Sequence, residues 1–593
     1  LENRIDPTPA NELSTLRLGV PVTETSNDVY EELTVAGETI TGSVRDILTG
    51  VQTKIETRDP DVLVCSTSDI IPTLYEMATV ASIDEFTLSR WPGVDYQQLA
   101  SQSTYSSYGQ VGHSPARYNV PGRAIIDESN TFFYGETNLD GVLDLVSRSK
   151  KPVQELAWAS IGNVLTAIQI CEAHDRGVLV PWNSWRHEFY KPMGTLHDAD
   201  RGGFIFAPEV GLHENVHELD FSSLYPNIIC TRNVCPDVIR CDCHSDREDV
   251  PELGYSICDT RGYLVDVLEP IIDARDDIKT AIDRENHRDD PDEDRLAELE
   301  GRSGALKWIL VACFGYQGFS NAKFGRIECH EAINAFAREI LLEAKERLEA
   351  GGWRVVHGIV DSIWVTPDPD VDDDEREALE TVATNITEAV EIRLEHEAHY
   401  DWVAFVPQRE SDAGALTKYF GKIAGADEFK IRGLEARQRS TPPFIKDVQR
   451  DCLDRLASTR SPDAVLRQLK RAIEALHDGE VAVDRLVKRN RVSKPLEGYT
   501  QNTQNVAALK RARDHGVDVH PGMDIEYVVV DDEKSSRDRV ALAHETIESY
   551  DASYYETELL RAVESVLSPL GWDRTEIRRS IVGVRETDLS AFT

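Results

Sequence analysis

Two segments of this chain set an aspartate inside a stretch whose other residues suit a buried strand. One is Val216-His217-Glu218-Leu219-Asp220-Phe221. The other is His357-Gly358-Ile359-Val360-Asp361-Ser362, with Trp353-Arg354-Val355-Val356 before it and Ile363-Trp364-Val365 after it, which together spell a strand, a tight turn and a return strand. A carboxylate on a buried strand is costly unless it meets a cation or a hydrogen-bonding partner. One such acid is ordinarily a cap or half of an ion pair. Two of them, one on each of two adjacent strands, can hold a pair of divalent ions about 3.5–4 Å apart for phosphoryl transfer. The pair therefore asks for a sheet in which strands 141 positions apart in the chain lie side by side.

At 593 residues the chain is too long for one core, and about 100–200 residues per domain gives three to five units. An apolar content of 41% supports sizeable cores. No apolar run reaches the roughly 18–20 residues of a spanning helix. The first residues, Leu1-Glu2-Asn3-Arg4, show no charged-then-apolar leader and no initiator Met, so a fragment or trimmed chain with a cytoplasmic location is expected. The net charge of −41 weighs against a nucleic-acid partner, because phosphate contacts supply most of the affinity of such binders. The acids are spread along the chain, however, and Arg outnumbers Lys 47 to 17. Near-molar salt, with a Debye length of about 3 Å, screens this self-repulsion. On that halophilic reading, local basic clusters matter more than the total.

Residues 1–150 read as alternating short strands and helices, with Val62-Leu63-Val64-Cys65 a buried strand after the turn-prone Arg58-Asp59-Pro60-Asp61. Residues 152–185 carry a helical pattern, with Ile161, Val164, Leu165, Ile168 and Ile170 near one face, ended by Pro181 and the Trp182–Trp185 stretch. Helices are expected from about Pro270 to His287, from about Asp294 past Lys307, over 328–350, and on to about 398. The segment Phe405–Arg437 is strand-rich. From about 445 the chain reads as mostly helical, with one strand at Ile525–Val530.

Asp220-Phe221-Ser222-Ser223-Leu224-Tyr225-Pro226-Asn227-Ile228-Ile229 resembles, nearly residue for residue, motif A of the family B DNA polymerases. The resemblance implies that Asp220 ligates both metals with help from the Phe221 carbonyl. It also implies that backbone amides near Ser223 and Leu224 touch the triphosphate, and that Tyr225 packs under the deoxyribose and excludes a 2′-hydroxyl. The hairpin around Asp361 resembles motif C, usually Tyr-Gly-Asp-Thr-Asp-Ser. Ile359 stands in place of the first Asp, and the main metal ligand is kept as Asp361. The change bears on rate or metal affinity more than on mechanism.

A triphosphate needs cations. Arg275 and Lys279 fall four apart on one helix face. There Arg can fork onto phosphate oxygens and Lys acts as a point charge; standing alone, they would be an ordinary exposed pair. Lys307-Trp308-Ile309-Leu310-Val311-Ala312-Cys313-Phe314-Gly315 resembles motif B, Lys-x-x-x-Asn-Ser-x-Tyr-Gly, with Val311, Ala312 and Phe314 replacing Asn, Ser and Tyr. Lys307 is then expected to contact phosphates and to serve as the acid for departing pyrophosphate. The lost polar groups predict a looser or altered check on pairing, or a crippled enzyme. Lys418-Tyr419-Phe420-Gly421 and the strand from Lys430 through Arg432 to Arg437 resemble the segments that hold the primer strand. The basic run Lys488-Arg489-Asn490-Arg491-Val492-Ser493-Lys494, with Tyr499, is similar to the thumb, which grips duplex phosphates; the alternative is a solvated helix face. Asp551-Ala552-Ser553-Tyr554-Tyr555 is similar to the family's C-terminal signature, so the resemblance covers about 150–593.

Asp59–Val64 followed by Ser66–Asp69 resembles the second motif of the family's 3′→5′ exonuclease domain, without an Asp-x-Glu first motif or a Tyr-x-x-x-Asp third. Two-metal hydrolysis needs several converging carboxylates. The resemblance is to the divergent archaeal branch of the family, with a ribonuclease-H-like exonuclease remnant inactive in proofreading. Cys235, Cys241, Cys243 and Cys258 form a group that could give four thiolates to a structural Zn2+. Free cysteines in a loop are the alternative.

The expected fold is α+β and multidomain, a right hand. It assigns the remnant to 1–150, a helical connector and first part of the palm to 151–265, the fingers to 266–327, the rest of the palm to 328–440 and the thumb to 441–593. The expected reaction is attack of a primer 3′-hydroxyl on the α-phosphate of a dNTP, with two Mg2+ ions (Mn2+ as alternative), in replication, repair or lesion bypass. The expected partners of a monomeric chain are primer–template DNA and dNTPs, with a sliding clamp a further candidate and no membrane. The rival reading, motivated by Ile359, Val311 and Ala312, is an inactivated homologue that binds DNA or a replication partner without chemistry.

Overall fold

The computed structural model describes residues 13–21, 28–91, 93–107, 110–129, 134, 137–183, 187–517, 519–535 and 537–581. They fall into two compact units, one built from Leu1–Tyr105, His113–Gly203 and Ser222–Glu339, the other from Ser106–Gly112, Phe204–Phe221 and Ile340–Thr593.

In the first unit, β1 (Thr15–Gly19) and β2 (Glu32–Val35) alternate buried and more exposed residues, so Leu16, Leu18, Leu33 and Val35 line one face. With β3 (Glu38–Thr41), β4 (Val62–Cys65) and β9 (Ala124–Asp127) they form a sheet of order β3-β2-β1-β4-β9. The first three strands are antiparallel, and β1, β4 and β9 run parallel. This is the ribonuclease-H-like arrangement expected, and β4, buried throughout, is the strand legible at 62–65. Helix α1 (Val44–Arg58) starts in a capping box of Ser43 and Asp46 and packs with α2 (Ile70–Val80) through Leu48, Val51 and Leu74. Strand β5 (Gln97–Ala100) pairs antiparallel with β8 (Arg117–Asn119), and β6 (Ser103–Ser107) pairs with β7 (Gln110–Ser114), a pair that the division into units cuts.

The helices of this unit are α3 (Leu139–Ser149), α4 (Val153–Ala157), α5 (Ile161–Asp175), α6 (Met193–Ala199), α7 (Leu224–Thr231), α8 (Tyr263–Asn286) and α9 (Glu293–Gly318), with the first part of α10 (Ile327–Ala350). The helical pattern expected over 152–185 divides at Trp158, because Ser160 caps α5 through the Asn163 N–H, and it ends at Asp175, ahead of Pro181. Trp185 lies outside the described residues. Helix α8 starts before Pro270, the residue that marked its expected beginning; an internal proline forfeits only the bond back to residue 266. Asp292, in the acidic run, accepts the Arg295 N–H at 3.1 Å and begins α9. Helices α3 and α9 meet backbone to backbone. A Cβ at Gly301 would stand 2.0 Å from Asn138 Oδ1, and one at Gly141 would stand 2.4 Å from the Gly301 carbonyl. Asn138 Nδ2 and Thr137 Oγ1 donate to the Ala297 and Gly301 carbonyls at 2.7 and 2.5 Å across that contact.

The second unit carries a seven-stranded antiparallel sheet. Its strands are β10 (Ile205–Phe206), β11 (Gly211–Phe221), β12 (Trp353–Ile359), β13 (Ser362–Pro367), β14 (Leu394–Pro407), β15 (Gly414–Ile423) and β16 (Phe429–Arg432), in the order β10-β12-β13-β11-β14-β15-β16. One face packs Val216, Val356, Trp364, Tyr400, Val403, Phe405 and Tyr419 together. Helix α11 (Leu379–Val390) stops at Glu391 in the left-handed conformation, φ 58°, and β14 begins at Leu394. The helix expected to about 398 is therefore strand in its last turns. Glu395–Ala398 favour helix locally, but pairing with β11 overrides that preference.

Beyond the sheet, α12 (Pro443–Thr459), α13 (Pro462–His477), α14 (Gln504–Asp514) and α15 (Ala552–Leu567) share a core with Trp402, Phe420 and Leu434. Where one strand was expected there is a three-stranded antiparallel sheet, β17 (Lys488–Arg491), β18 (Asp524–Val529) and β19 (Val540–Leu542). The basic run is thus a strand and no helix face. Lys488 turns inward while Arg489 and Arg491 face out, the two-residue period of a strand.

The α3–α9 contact yields a prediction. Gly301→Ala should destabilise the protein by about 1–3 kcal/mol in chemical denaturation, as overpacking does. Gly194→Ala, in α6 with open space around the added methyl, should be neutral or stabilising. Equal stability of Gly301→Ala and wild type would show that the two helices do not approach this closely.

Candidate active site

Strand β11 delivers Asp220, and the β12–β13 hairpin delivers Asp361 in the two-residue turn Val360-Asp361 between the paired Ile359 and Ser362. Strands β11 and β13 are antiparallel with Asp220 opposite Ser362, and the Phe221 N–H donates to the Asp361 carbonyl at 2.8 Å. The two aspartates therefore stand at adjoining positions of neighbouring strands, as the sequence requires. Val360 holds φ 56°, a left-handed conformation that costs a β-branched residue about 1–2 kcal/mol. Its N–H is secured on the Phe204 carbonyl at 3.1 Å. A register shift opposite Glu218 and Leu219 leaves Glu397 as the extra residue on β14 and bends that strand where it runs beside Asp220. Ile359, at the position of the missing aspartate, packs against the apolar cluster of this sheet.

Burial pushes the Asp220 carboxyl up to about 7; the Ser362 hydroxyl, donating at 2.6 Å, opposes this, and the carboxylates of Asp361, Glu397 and Glu218 reinforce it. Burial raises Asp361 as well. Glu218 makes the contrast: Lys430 Nζ lies 2.8 and 2.9 Å from its two oxygens, and the Tyr400 hydroxyl donates to it. Among the described residues no lysine or arginine answers Asp220 or Asp361 in that way. The two desolvated carboxylates offer oxygen donors of the kind that hard divalent ions take.

The residues expected at the nucleotide lie in the other unit. Ser223 takes a left-handed conformation, φ 47°, at the start of α7, and Asn227 Nδ2 donates to the Ser222 carbonyl at 2.7 Å. Leu224 is buried. Tyr225 stacks on Phe314, and Phe314 on His330, each pair with ring centroids 4.1 Å apart. Burial keeps the His330 imidazole below its ordinary pKa, so the third ring of the stack is neutral. Nothing in motif A or motif B marks His330, and the sequence reading missed it. Arg275 and Lys279 are half-buried on α8, one turn apart. Lys307 is exposed on α9, followed on the same face by Val311, 58% exposed, and Phe314.

Of the residues expected at DNA, Arg432 is exposed on β16 opposite Tyr419, and Lys494 is exposed. Tyr419 is buried against Trp364 and Phe405. Two lysines depart from the expected phosphate contacts. Lys418 Nζ is held 3.2 Å from Glu435 and 2.5 Å from the Ser565 hydroxyl. Lys488 Nζ is held 2.6 Å from the Tyr554 hydroxyl and 2.9 Å from Glu558. Arg489 and Arg491 both reach Asp524, at 2.9 and 2.8 Å.

The cysteine group needs one exchange. Cys241, Cys243 and Cys258 converge, but their fourth member is His244. Cys235 is buried elsewhere, its sulfur accepting the Leu264 N–H at 2.9 Å. The backbone and hydroxyl of Thr260 bring the Cys258 thiol down to about 7.

The seven-stranded antiparallel sheet of one unit presents the two aspartates, and the α8–α9 helical hairpin of the other carries Arg275, Lys279 and Lys307. The family model for DNA polymerase family B matches residues 167–570, and the chain belongs to that family. It is 29% identical over 450 residues to a DNA polymerase of Pyrococcus glycovorans, covering 74% of this chain and 56% of that protein. It is 29% identical over 323 residues to DNA polymerase 2 of Saccharolobus solfataricus, covering 54% of this chain and 46% of that protein. The chain thus spans about half the length of these curated relatives. In fold it is similar to the family B DNA polymerase of Pyrobaculum calidifontis, with a TM-score of 0.64 and 21% identity over 94% of this chain and 78% of that one.

The raised Asp220 pKa carries a signed prediction. With metal absent, the folded protein binds more protons than the unfolded chain between pH 4 and 7, so this group's contribution to stability falls as pH rises through that window. Asp220→Asn should therefore raise the melting temperature of the chelator-treated protein at pH 8, by up to about 4 kcal/mol in stability, and the gain should shrink toward pH 4. A variant no more stable than wild type at pH 8 would show that Asp220 is not desolvated.

Proposed function

We propose that this chain is a template-directed DNA polymerase that joins a dNMP to a primer 3′-hydroxyl. The observation that carries the reading is the β11–β13 register, which sets Asp361 beside Asp220 with no cation among the described residues to balance them. Two divalent ions held there would activate the hydroxyl and neutralise the triphosphate and leaving group. Ser362 fixes the orientation of the Asp220 carboxylate through its hydrogen bond. Arg275, Lys279 and Lys307 bind triphosphate oxygens, and Lys307 supplies the proton to the departing pyrophosphate. Tyr225, held by Phe314, bars a 2′-hydroxyl from the sugar site.

Proofreading is absent on this reading. No acid lies on β1, and Arg17 of that strand pairs with Glu128 at 2.9 Å. Asp69 accepts the Tyr118 hydroxyl at 3.2 Å. Asp127 accepts the Ser68 N–H at 2.8 Å and the Ser129 hydroxyl at 2.6 Å. With no acid on β1 to join Asp69 and Asp127, the converging set of carboxylates that two-metal hydrolysis needs is incomplete.

Primer extension with Mg2+ or Mn2+ across a salt titration should show templated incorporation, Asp361→Ala should abolish it, and a mismatched 3′ terminus should remain uncleaved. Tyr225→Ala should raise ribonucleotide incorporation by at least about tenfold, the scale of discrimination a well-packed pocket provides. DNA binding by the wild type with no incorporation at any salt or metal would assign the chain to the inactivated class instead.

A further inference from the structure

The loop between α7 and α8 brings Cys241, Cys243, His244 and Cys258 together, one ligand atom from each lying within 4.8 Å of the others. His244 Nδ1 is 3.4 Å from Cys241 Sγ and 3.3 Å from Cys243 Sγ, and Cys243 Sγ is 3.5 Å from Cys258 Sγ. A tetrahedral zinc ion about 2.3 Å from sulfur and about 2.0 Å from nitrogen sets sulfur–sulfur separations of about 3.8 Å and sulfur–nitrogen separations of about 3.6 Å. We propose that these four side chains are a structural zinc centre of Cys3His type that closes the loop at the foot of helix α8.

The surroundings of His244 supply an independent argument. Its other ring nitrogen, Nε2, lies 3.2 Å from Asp259 Oδ2, and Arg247 holds Asp259 at 2.6 Å. A carboxylate on the far nitrogen is how metal-bound histidines are oriented; it places the proton on Nε2 and leaves the Nδ1 lone pair aimed among the sulfurs. The backbone brings the two ends of the loop together in the same sense. The Arg240 N–H donates to the Ser256 carbonyl at 2.6 Å, and the Cys258 N–H donates to the Val238 carbonyl at 3.0 Å. Asn233, just past α7, donates to the carbonyls of Cys258 and Thr260 at 3.0 and 2.8 Å and accepts the Gly262 N–H at 2.8 Å, so the centre is tied to the first turn of α8.

The tip of the loop adds no apolar packing of its own. From Asp242 to Asp249 its residues are polar or charged apart from Cys243, so the segment has no core of its own. Small elements of that composition are held by a metal or by disulfides. Three thiolates and an imidazole select zinc, whereas the carboxylates of Asp220 and Asp361 select Mg2+ or Mn2+, so one protein can carry both classes of ion without competition. With four protein ligands the centre has no open position, which makes it structural.

The test reads metal, not polymerisation, so it stands whether or not the chain extends primers. Protein expressed without a polyhistidine tag should contain one zinc per chain by elemental analysis. An organomercurial should release that zinc, and alkylation of Cys241, Cys243 and Cys258 should proceed only after release. Chelator should lower the melting temperature of the wild type, and added zinc should restore it. Cys243→Ser and Cys258→Ser should lose the metal, and Cys235→Ala should keep it. Asp259→Asn should bind zinc about 10–100-fold more weakly, the usual effect of removing such a carboxylate. Where a cysteine variant does not fold, cobalt substitution of the wild type decides: tetrahedral thiolate bands support the centre. Wild-type protein without zinc, a Cys243–Cys258 disulfide in freshly isolated protein, or full zinc content in Cys258→Ser would each overturn it.

Discussion

The antiparallel pairing of β11 with β13 is the constraint on which the rest of this structure depends. One register, Asp220 opposite Ser362, decides where two carboxylates stand, and a slip of one residue would send Asp220 to the other face of the sheet. The local devices around it serve that register. Val360 accepts a strained conformation to turn the hairpin in two residues, the bulge at Glu397 bends β14 beside the acid, and Ser362 gives a hydroxyl to the carboxylate it faces. The protein satisfies Glu218, two residues earlier, with Lys430 and Tyr400. Among the described residues no such cation answers Asp220 or Asp361, whose burial raises their pKa, a cost in stability that a divalent ion held there would offset.

How much of this could be foreseen follows from which interactions were local. The buried strand at 62–65 was legible as a short apolar run after turn residues, and the hairpin around Asp361 and the strand ending in Asp220 as apolar strand formers interrupted by a single acid. The start of β14 was not, since Glu395–Ala398 favour helix and only pairing with β11 makes them strand. The basic run at 488–494 was legible as a cluster of charge, but its fate was set by partners 33 to 70 residues away, Asp524 and Glu558. His330 and His244 were invisible for the same reason. Neither lies in a spaced motif: one is chosen by stacking on Phe314, the other by sitting within reach of three sulfurs.

The substituted motif residues make physical sense as a set. A phenylalanine at 314 gives up a hydroxyl yet keeps a flat ring against Tyr225, and the neutral His330 supports that ring from the other side. Stacking of flat rings is therefore part of what positions Tyr225. Ile359 likewise turns a lost carboxylate into packing against the sheet's apolar cluster. Both changes exchange polar contacts for contacts between apolar surfaces, and the single invariant requirement, an acid on each of two paired strands, is untouched.

The charge of −41 belongs to the same account. Lys418, Lys488, Arg489 and Arg491 all point at carboxylates of the protein itself. Phosphate would have to compete with Asp524 for the two exposed arginines, whose pairing with it is the kind of surface contact worth at most about 1 kcal/mol each. Concentrated salt weakens that pairing and phosphate binding together. What salt does not weaken in proportion is the buried part: Lys488 between Tyr554 and Glu558, and Lys418 between Glu435 and Ser565, fasten strands β17 and β15 to helix α15 or its neighbours where screening ions do not reach. At these four positions the lysines lie inside and the arginines outside, so that the outer cations stay exchangeable while the inner ones hold the frame.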